Sequence, residues 1–189
     1  WRFSMTGQIN VNKIAARTGN TITINSGDKI SGAAGSIVAP GHVIQFATST
    51  SDGAYITTTS ASLVGSGQTV SITPKFSNST IVLYYSASFT SIDSNNTGGT
   101  LMKFFKSING GSYSVVTGMA NSAQTGFLEY NSNASSYNHS VGTMMVTDSP
   151  STTSAVTYQL YIARLGSSGS AAVQRDWGGT HFHAMEIAQ

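Results

Sequence analysis

Hydrophobic and polar residues along this chain alternate with a period of two. In Ile81-Val82-Leu83-Tyr84-Tyr85-Ser86-Ala87-Ser88-Phe89, the residues Ile81, Leu83, Tyr85, Ala87 and Phe89 fall on one side. Val156, Tyr158, Leu160 and Ile162 repeat the pattern against Thr157, Gln159 and Tyr161. Within 42–47, Ile44 and Phe46 alternate against Val43, Gln45 and Ala47. Successive side chains of an extended backbone point to opposite faces, so such runs predict strands with one face buried. Further strands are predicted over 54–59, 68–74, 100–108, 113–119, 140–148 and 181–188, where Thr, Val, Ile, Tyr and Phe dominate. No window has the 3.6 period of an amphipathic helix; 119–130 has room for one turn, and Gly126 argues against more. Turn clusters separate the strands: Ser51-Asp52-Gly53, Asn95-Asn96-Thr97-Gly98-Gly99, Asn109-Gly110-Gly111-Ser112 and Ser167-Ser168-Gly169-Ser170. Asn and Gly tolerate the positive φ angles that tight hairpins need, so 101–116 predicts a strand, a turn and a returning strand. The expected fold is all-β: an antiparallel β-sandwich, jelly-roll-like.

The first forty residues differ. From Trp1 to Pro40 the apolar positions are sparse and isolated (Ile9, Val11, Ile14, Ile22, Ile24, Ile30, Ile37, Val38), and Gly7, Gly19, Gly27, Gly32 and Gly35 interrupt them. So few anchors cannot offset the conformational entropy of ordering a separate core. Thr21-Ile22-Thr23-Ile24 still has strand character. An extended N-terminal stalk arm over 1–40 is therefore expected, with short strands pairing between copies of the chain, followed by a sandwich head over 41–189. Ala39-Pro40-Gly41 punctuates the boundary. Trp1-Arg2-Phe3-Ser4 has neither a starting Met nor a signal-peptide core, as expected of a processed or partial chain.

Composition sharpens this picture. Ser and Thr fill 53 positions and, with 12 Asn and 20 Gly, make up 85 of the 189 residues. Only 8% of the residues are charged, against about a quarter in ordinary proteins. Ser, Thr and Asn thus take the outward positions that charge usually occupies. The formal net charge is +2, far short of the basic patch that neutralises several phosphates, so no nucleic-acid partner is expected. No apolar run approaches 18 residues, so no membrane insertion is expected. The absence of Cys removes disulfides and thiolate chemistry.

Several ordered runs carry a resemblance. Gly19-Asn20-Thr21-Ile22-Thr23-Ile24 is followed by Gly35-Ser36-Ile37-Val38-Ala39-Pro40-Gly41-His42-Val43-Ile44-Gln45, and then by Val70-Ser71-Ile72-Thr73-Pro74-Lys75-Phe76-Ser77-Asn78-Ser79-Thr80-Ile81-Val82-Leu83. Asp148-Ser149-Pro150-Ser151-Thr152-Thr153-Ser154-Ala155-Val156-Thr157-Tyr158 and Met185-Glu186-Ile187-Ala188-Gln189 close the set. Together they cover about a third of the chain and resemble bacteriophage tail-fibre-like virion proteins of the marine and cyanobacterial phage type. The resemblance implies a trimeric β-sandwich head on a virion surface that meets other virion subunits and the host. It supplies no catalytic residue. A capsid decoration or head fibre with a purely structural role is the first alternative, and a polysaccharide-degrading tail enzyme the second.

Candidate chemistry is sparse. In a strand, His181 and His183 share a face with Met185 and Ile187. Three such pairs around a trimer axis would offer six imidazoles to a divalent transition metal; the plainer expectation is two solvated histidines at a strand mouth. No Gly-x-Ser-x-Gly elbow and no His-Glu-x-x-His occur. A glycosidase would have to draw two carboxylates from Glu129, Glu186 and five Asp, of which Asp93, Asp148 and Asp176 lie in turn-like contexts. Tyr113, Tyr130, Tyr137 and Trp177 sit in or beside Asn-, Ser- and Gly-rich stretches. The interval 120–140 lacks clear alternation, and loops on rigid scaffolds commonly carry binding sites. Tyr130, Tyr137, Asn138 and Trp177 are therefore the expected residues for a host surface glycan or receptor. Packing of the same rings under a loop or between subunits is the competing expectation.

Overall fold

The computed structural model describes residues 26–27, 29–32, 37–51, 55–92, 98–119, 127–130, 138–166, 169–173 and 180–189. Its strands are β1 (Val43–Ser51), β2 (Ile56–Thr58), β3 (Val64–Ile72), β4 (Thr80–Ile92), β5 (Gly99–Ile108), β6 (Ser114–Val115), β7 (Phe127–Tyr130), β8 (Asn138–Asp148), β9 (Val156–Leu165), β10 (Ser170–Val173) and β11 (Thr180–Ile187). A 3-10 turn occupies Thr117–Met119. The strands form two antiparallel sheets packed face to face. One contains β1, β11, β4, β10, β2 and β8; the other contains β3, β9, β5, β6 and β7.

The pairing reduces to eight lines of strand. β11 and β10 share one edge of β4, along Thr80–Ser86 and Phe89–Ile92, while β8 covers the other edge. β1 and β2 flank β11 and β10 in turn. On β5, β9 takes one edge, and β6 and β7 share the other. Chain order is then β1/β2, β3, β4, β5, β6/β7, β8, β9, β10/β11. The first sheet reads first-eighth-third-sixth and the second reads second-seventh-fourth-fifth. This winding, with the last line returning beside the first, is that of a jelly roll.

The core is built by the alternating runs. Ile81, Leu83, Tyr85, Ala87 and Phe89 of β4 are buried on the inner side, and they meet Val156, Tyr158, Leu160 and Ile162 of β9. Phe182 of β11 stacks on Phe104 of β5 at 5.2 Å and meets Tyr85 edge-on at 5.4 Å, which ties the two sheets together through aromatic rings. Gly142 on β8 leaves room for Phe89, because a Cβ there would stand 2.7 Å from its ring.

Four expectations change. The 113–119 strand shrinks to β6, since the chain bends into the 3-10 turn after Val116. The 119–130 interval ends in strand β7, which pairs with Gly99–Met102. β10 begins at Ser170, inside a predicted turn cluster, because the open edge of β4 recruits Ala171, Ala172 and Val173. In β1, a bulge between Val43 and Gln45 shifts the register, so that Ala47 packs against the core and Phe46 faces outward, 56% exposed. The Asn109-Gly110 turn forms as expected, with φ of 51° and 73° and a bond from the Gly111 amide to the Ile108 carbonyl at 3.0 Å. The residues described before β1 carry no strand, and Thr21–Ile24 lies outside the described residues.

Candidate functional site

The sandwich has two unlike ends. At one end, which we term the base, β1 begins at Val43 opposite Ile187, and β3, β5 and β8 finish at Ile72, Ile108 and Asp148. The chain enters the head here. At the far end, β4 finishes and β5 begins, β9 finishes beside Gly99, and Ser170 of β10 pairs with Ile92. Tyr130 pairs with Gly99 and Asn138 pairs with Ser91, so two of the predicted binding positions belong to this far end. Tyr137 lies outside the described residues, in the connection whose two ends are Tyr130 and Asn138. Trp177 also lies outside them; its connection leaves from Val173, opposite Phe89, and returns at His181, opposite Ser86. The flanks of Trp177 therefore sit along the side of β4. Tyr113 has a different setting: it lies against Tyr161 at 5.8 Å, and Tyr161 stacks on Phe105 at 4.0 Å, on the outer side of the second sheet. Burial, and then the neighbouring Tyr113, push the Tyr161 hydroxyl above its usual pKa.

His181 and His183 share the outer face of the first sheet with Met185 and Ile187, as the alternation predicts. They stand in mid-sheet, between β1 and β4, and not at a strand mouth. His183 lies 5.0 Å from the Phe46 ring, 5.9 Å from Tyr84 and 5.9 Å from His181. Its Nδ1 is buried without a hydrogen-bond partner. Among the described residues no three His, Cys, Asp or Glu lie close enough to hold an ion. A metal on this pair would need further ligands from beyond the described residues or from a second chain. Phe46 and Tyr84 are the part of this face that the pattern alone did not reveal. The bulge in β1 turns Phe46 outward, and nothing local in the sequence signals it.

The two carboxylates with described side chains are Glu186 and Asp148, and both pair through Ile81 of β4. Their backbones are thus about 10 Å apart, two strand spacings. Glu186 is fully buried. Its Oε1 accepts from the amides of Lys75 at 2.7 Å and Phe76 at 3.2 Å and from Ser79 Oγ at 2.6 Å. Its Oε2 accepts from Gln45 Nε2. Asp148 accepts from Lys106 Nζ at 2.8 and 2.9 Å and from the Tyr158 hydroxyl at 2.9 Å. The expectation of a turn-type Asp at 148 is corrected here: it ends a strand, and its side chain bonds across the sandwich instead of to its own backbone. Burial, and then the Asp148 charge, push the Tyr158 hydroxyl far above the ordinary phenol pKa. The spacing suits a general-acid and general-base pair, but Ile81 stands between the two groups, and each is already saturated with donors. They work as clasps at the base.

Beside Asp148 a cleft of about 280 Å³ opens between Thr117, Gly118, Thr147 and Ser149. Gly118 permits the 3-10 turn to lie against β8, since a Cβ would meet Val146 at 3.0 Å. No family model matches this chain, and no curated protein matches it in sequence.

Proposed function

We propose that this protein is a virion surface subunit of the phage tail-fibre type, a non-enzymatic homotrimer that attaches the particle to its host. The polarity of the sandwich is the observation that carries the reading. The sandwich's first strand starts from the base, while Tyr130 and Asn138, with Tyr137 between them in sequence, belong to the opposite end. An attachment protein needs this division: one end for the particle and its other subunits, the other for a surface glycan or receptor. Exposed aromatic rings stack on sugar faces, and amides and hydroxyls satisfy sugar hydroxyls. Weak binding at each site becomes effective when three heads act together. The commitment of Asp148 and Glu186 to structural bonds supports the non-enzymatic reading.

The test is a bacterial glycan array probed with the full-length chain, alongside the Tyr137→Ala and Asn138→Ala variants. Attachment predicts binding to at least one glycan, weakened about tenfold or more by Tyr137→Ala. Absence of binding to any glycan or to intact bacteria overturns attachment in favour of capsid decoration. Release of reducing ends from a bound polysaccharide overturns the non-enzymatic reading.

A further inference from the structure

The outer face of the first sheet spans four lines of strand and, among the described residues of those strands, carries no Asp, Glu, Lys or Arg; its ionisable groups are His139, His181 and His183. Asp148 and Glu186 are the only charged residues in β1, β4, β8 and β11, and both point inward. The outward side instead presents Phe46, Tyr84, His183, Met185, Val141 and Met145. Val141 is 82% exposed, Met145 64% and Phe46 56%. Thr48, Ser86, Thr143 and Thr147 stand between them in register.

β8 adds an edge to this face. It is an 11-residue strand that pairs only with β4 among the described strands. Exposed edges are usually blunted by a Lys, a Pro or an inward charge along the strand. None of these occurs before Asp148 at the very end of β8. His183 lies between two rings of this face, Phe46 tilted against it at 31° and Tyr84 stacked on it at 23°.

We infer that this face, with the open edge of β8, is the contact surface for a second copy of this chain. Charge decides the occupant. A partner with ordinary charged side chains would have to bury them against a surface that offers no counter-charge, whereas another copy brings a neutral face of the same apolar and hydroxyl character. The size is adequate. Four strands spaced about 4.8 Å apart and some seven residues long project to roughly 450 Å². The protruding side chains and the β8 edge raise the accessible area toward the ~600 Å² per partner at the low end of stable interfaces. The inference rests on the proposed assembly and names the surface that makes it.

The absence of Cys makes the test direct. A single Thr143→Cys on this face, treated with a short bis-maleimide, is expected to give covalent dimers in high yield. Ser71→Cys, exposed on the outer side of the second sheet, is expected to give few. In parallel, Val141→Asp with Met145→Lys is expected to reduce the native mass measured by light scattering to that of a monomer, with the strand content measured by circular dichroism unchanged. Equal crosslinking at Thr143 and Ser71, or a charged variant that keeps the wild-type mass, overturns the face; an oligomer retained in that way leaves attachment by an arm-linked trimer standing. A wild-type chain that is monomeric at tens of micromolar overturns the face and the trimer together, whereas failure of the glycan array leaves both untouched.

Discussion

At the scale of single residues, the strongest constraint is the Asp148 cluster. Tyr158 and Lys106 reach Asp148 across the gap between the sheets, where the Lys106 side chain is 12% exposed and the Asp148 side chain is not exposed at all. Removing one partner of such a pair strands a buried charge, which costs about 3–5 kcal/mol, much more than the pair itself contributes over a well-packed apolar replacement. Asp148→Asn is therefore expected to lower the melting temperature by roughly 10 °C, and the double change Lys106→Met with Asp148→Leu to recover much of that loss in the same thermal scan. The sequence offers only a hint of this cluster. Asp148 precedes Ser149-Pro150, a turn-like context, and Lys106 lies 42 positions away. Their meeting depends on the pairing of β5 with β9 and of β4 with β8, which no local pattern encodes.

At the scale of elements, local alternation identifies strands well and their limits poorly. β4 and β9 are legible because five and four apolar residues in strict alternation leave one reading of the period. β10 and β7 are not, because each has four residues and owes its extended form to an open edge on β4 or β5. The connection between β3 and β4 is held by a device of another kind. The amides of Lys75 and Phe76 and the hydroxyl of Ser79 all bond to Glu186, which arrives from the far end of the sequence. Without that carboxylate the loop keeps the short-range bond from the Ser79 amide to the Phe76 carbonyl, at 3.2 Å, and the bond from Gln45 Nε2 to the Thr73 carbonyl, at 2.6 Å. Glu186→Ala is accordingly expected to speed tryptic cleavage after Lys75 by at least tenfold, read by mass spectrometry of the native protein, because loop opening no longer breaks three bonds to a buried acceptor.

At the scale of the whole molecule, the thin charge leaves tyrosine as an unusual arbiter of pH stability. Burial pushes the hydroxyls of Tyr85 and Tyr158 well above the ordinary phenol value of 10.0; in Tyr85 this prevails over opposing bonds from Thr180 and Gln68, and in Tyr158 the Asp148 charge adds to it. A proton held more tightly in the folded state than in the unfolded one stabilises the fold fully below the unfolded pKa. That contribution declines as pH rises through and beyond about 10. Urea unfolding is thus expected to give an even stability up to about pH 9 and a falling one above pH 10. Tyr158→Phe should be less stable at neutral pH by about 1–2 kcal/mol, having lost its bond to Asp148, yet decline less steeply in alkali. An equal alkaline slope in the variant would remove Tyr158 from this role.

The sequence by itself determined the fold class, the strands of the core and the sharing of one face by His181, His183, Met185 and Ile187. Each of these follows from alternation within a single strand, a property of local backbone geometry. Tertiary structure alone decided which strands became neighbours and which face turned inward. A bulge of one residue in β1 sent Phe46 out to Tyr84 and His183. The winding of eight strand lines put the start of β1 and the Tyr130 and Asn138 positions at opposite ends, and set Glu186 and Asp148 two strands apart across Ile81. Register between distant strands arises from the packing of the whole core, so it is expressed only when the chain has folded.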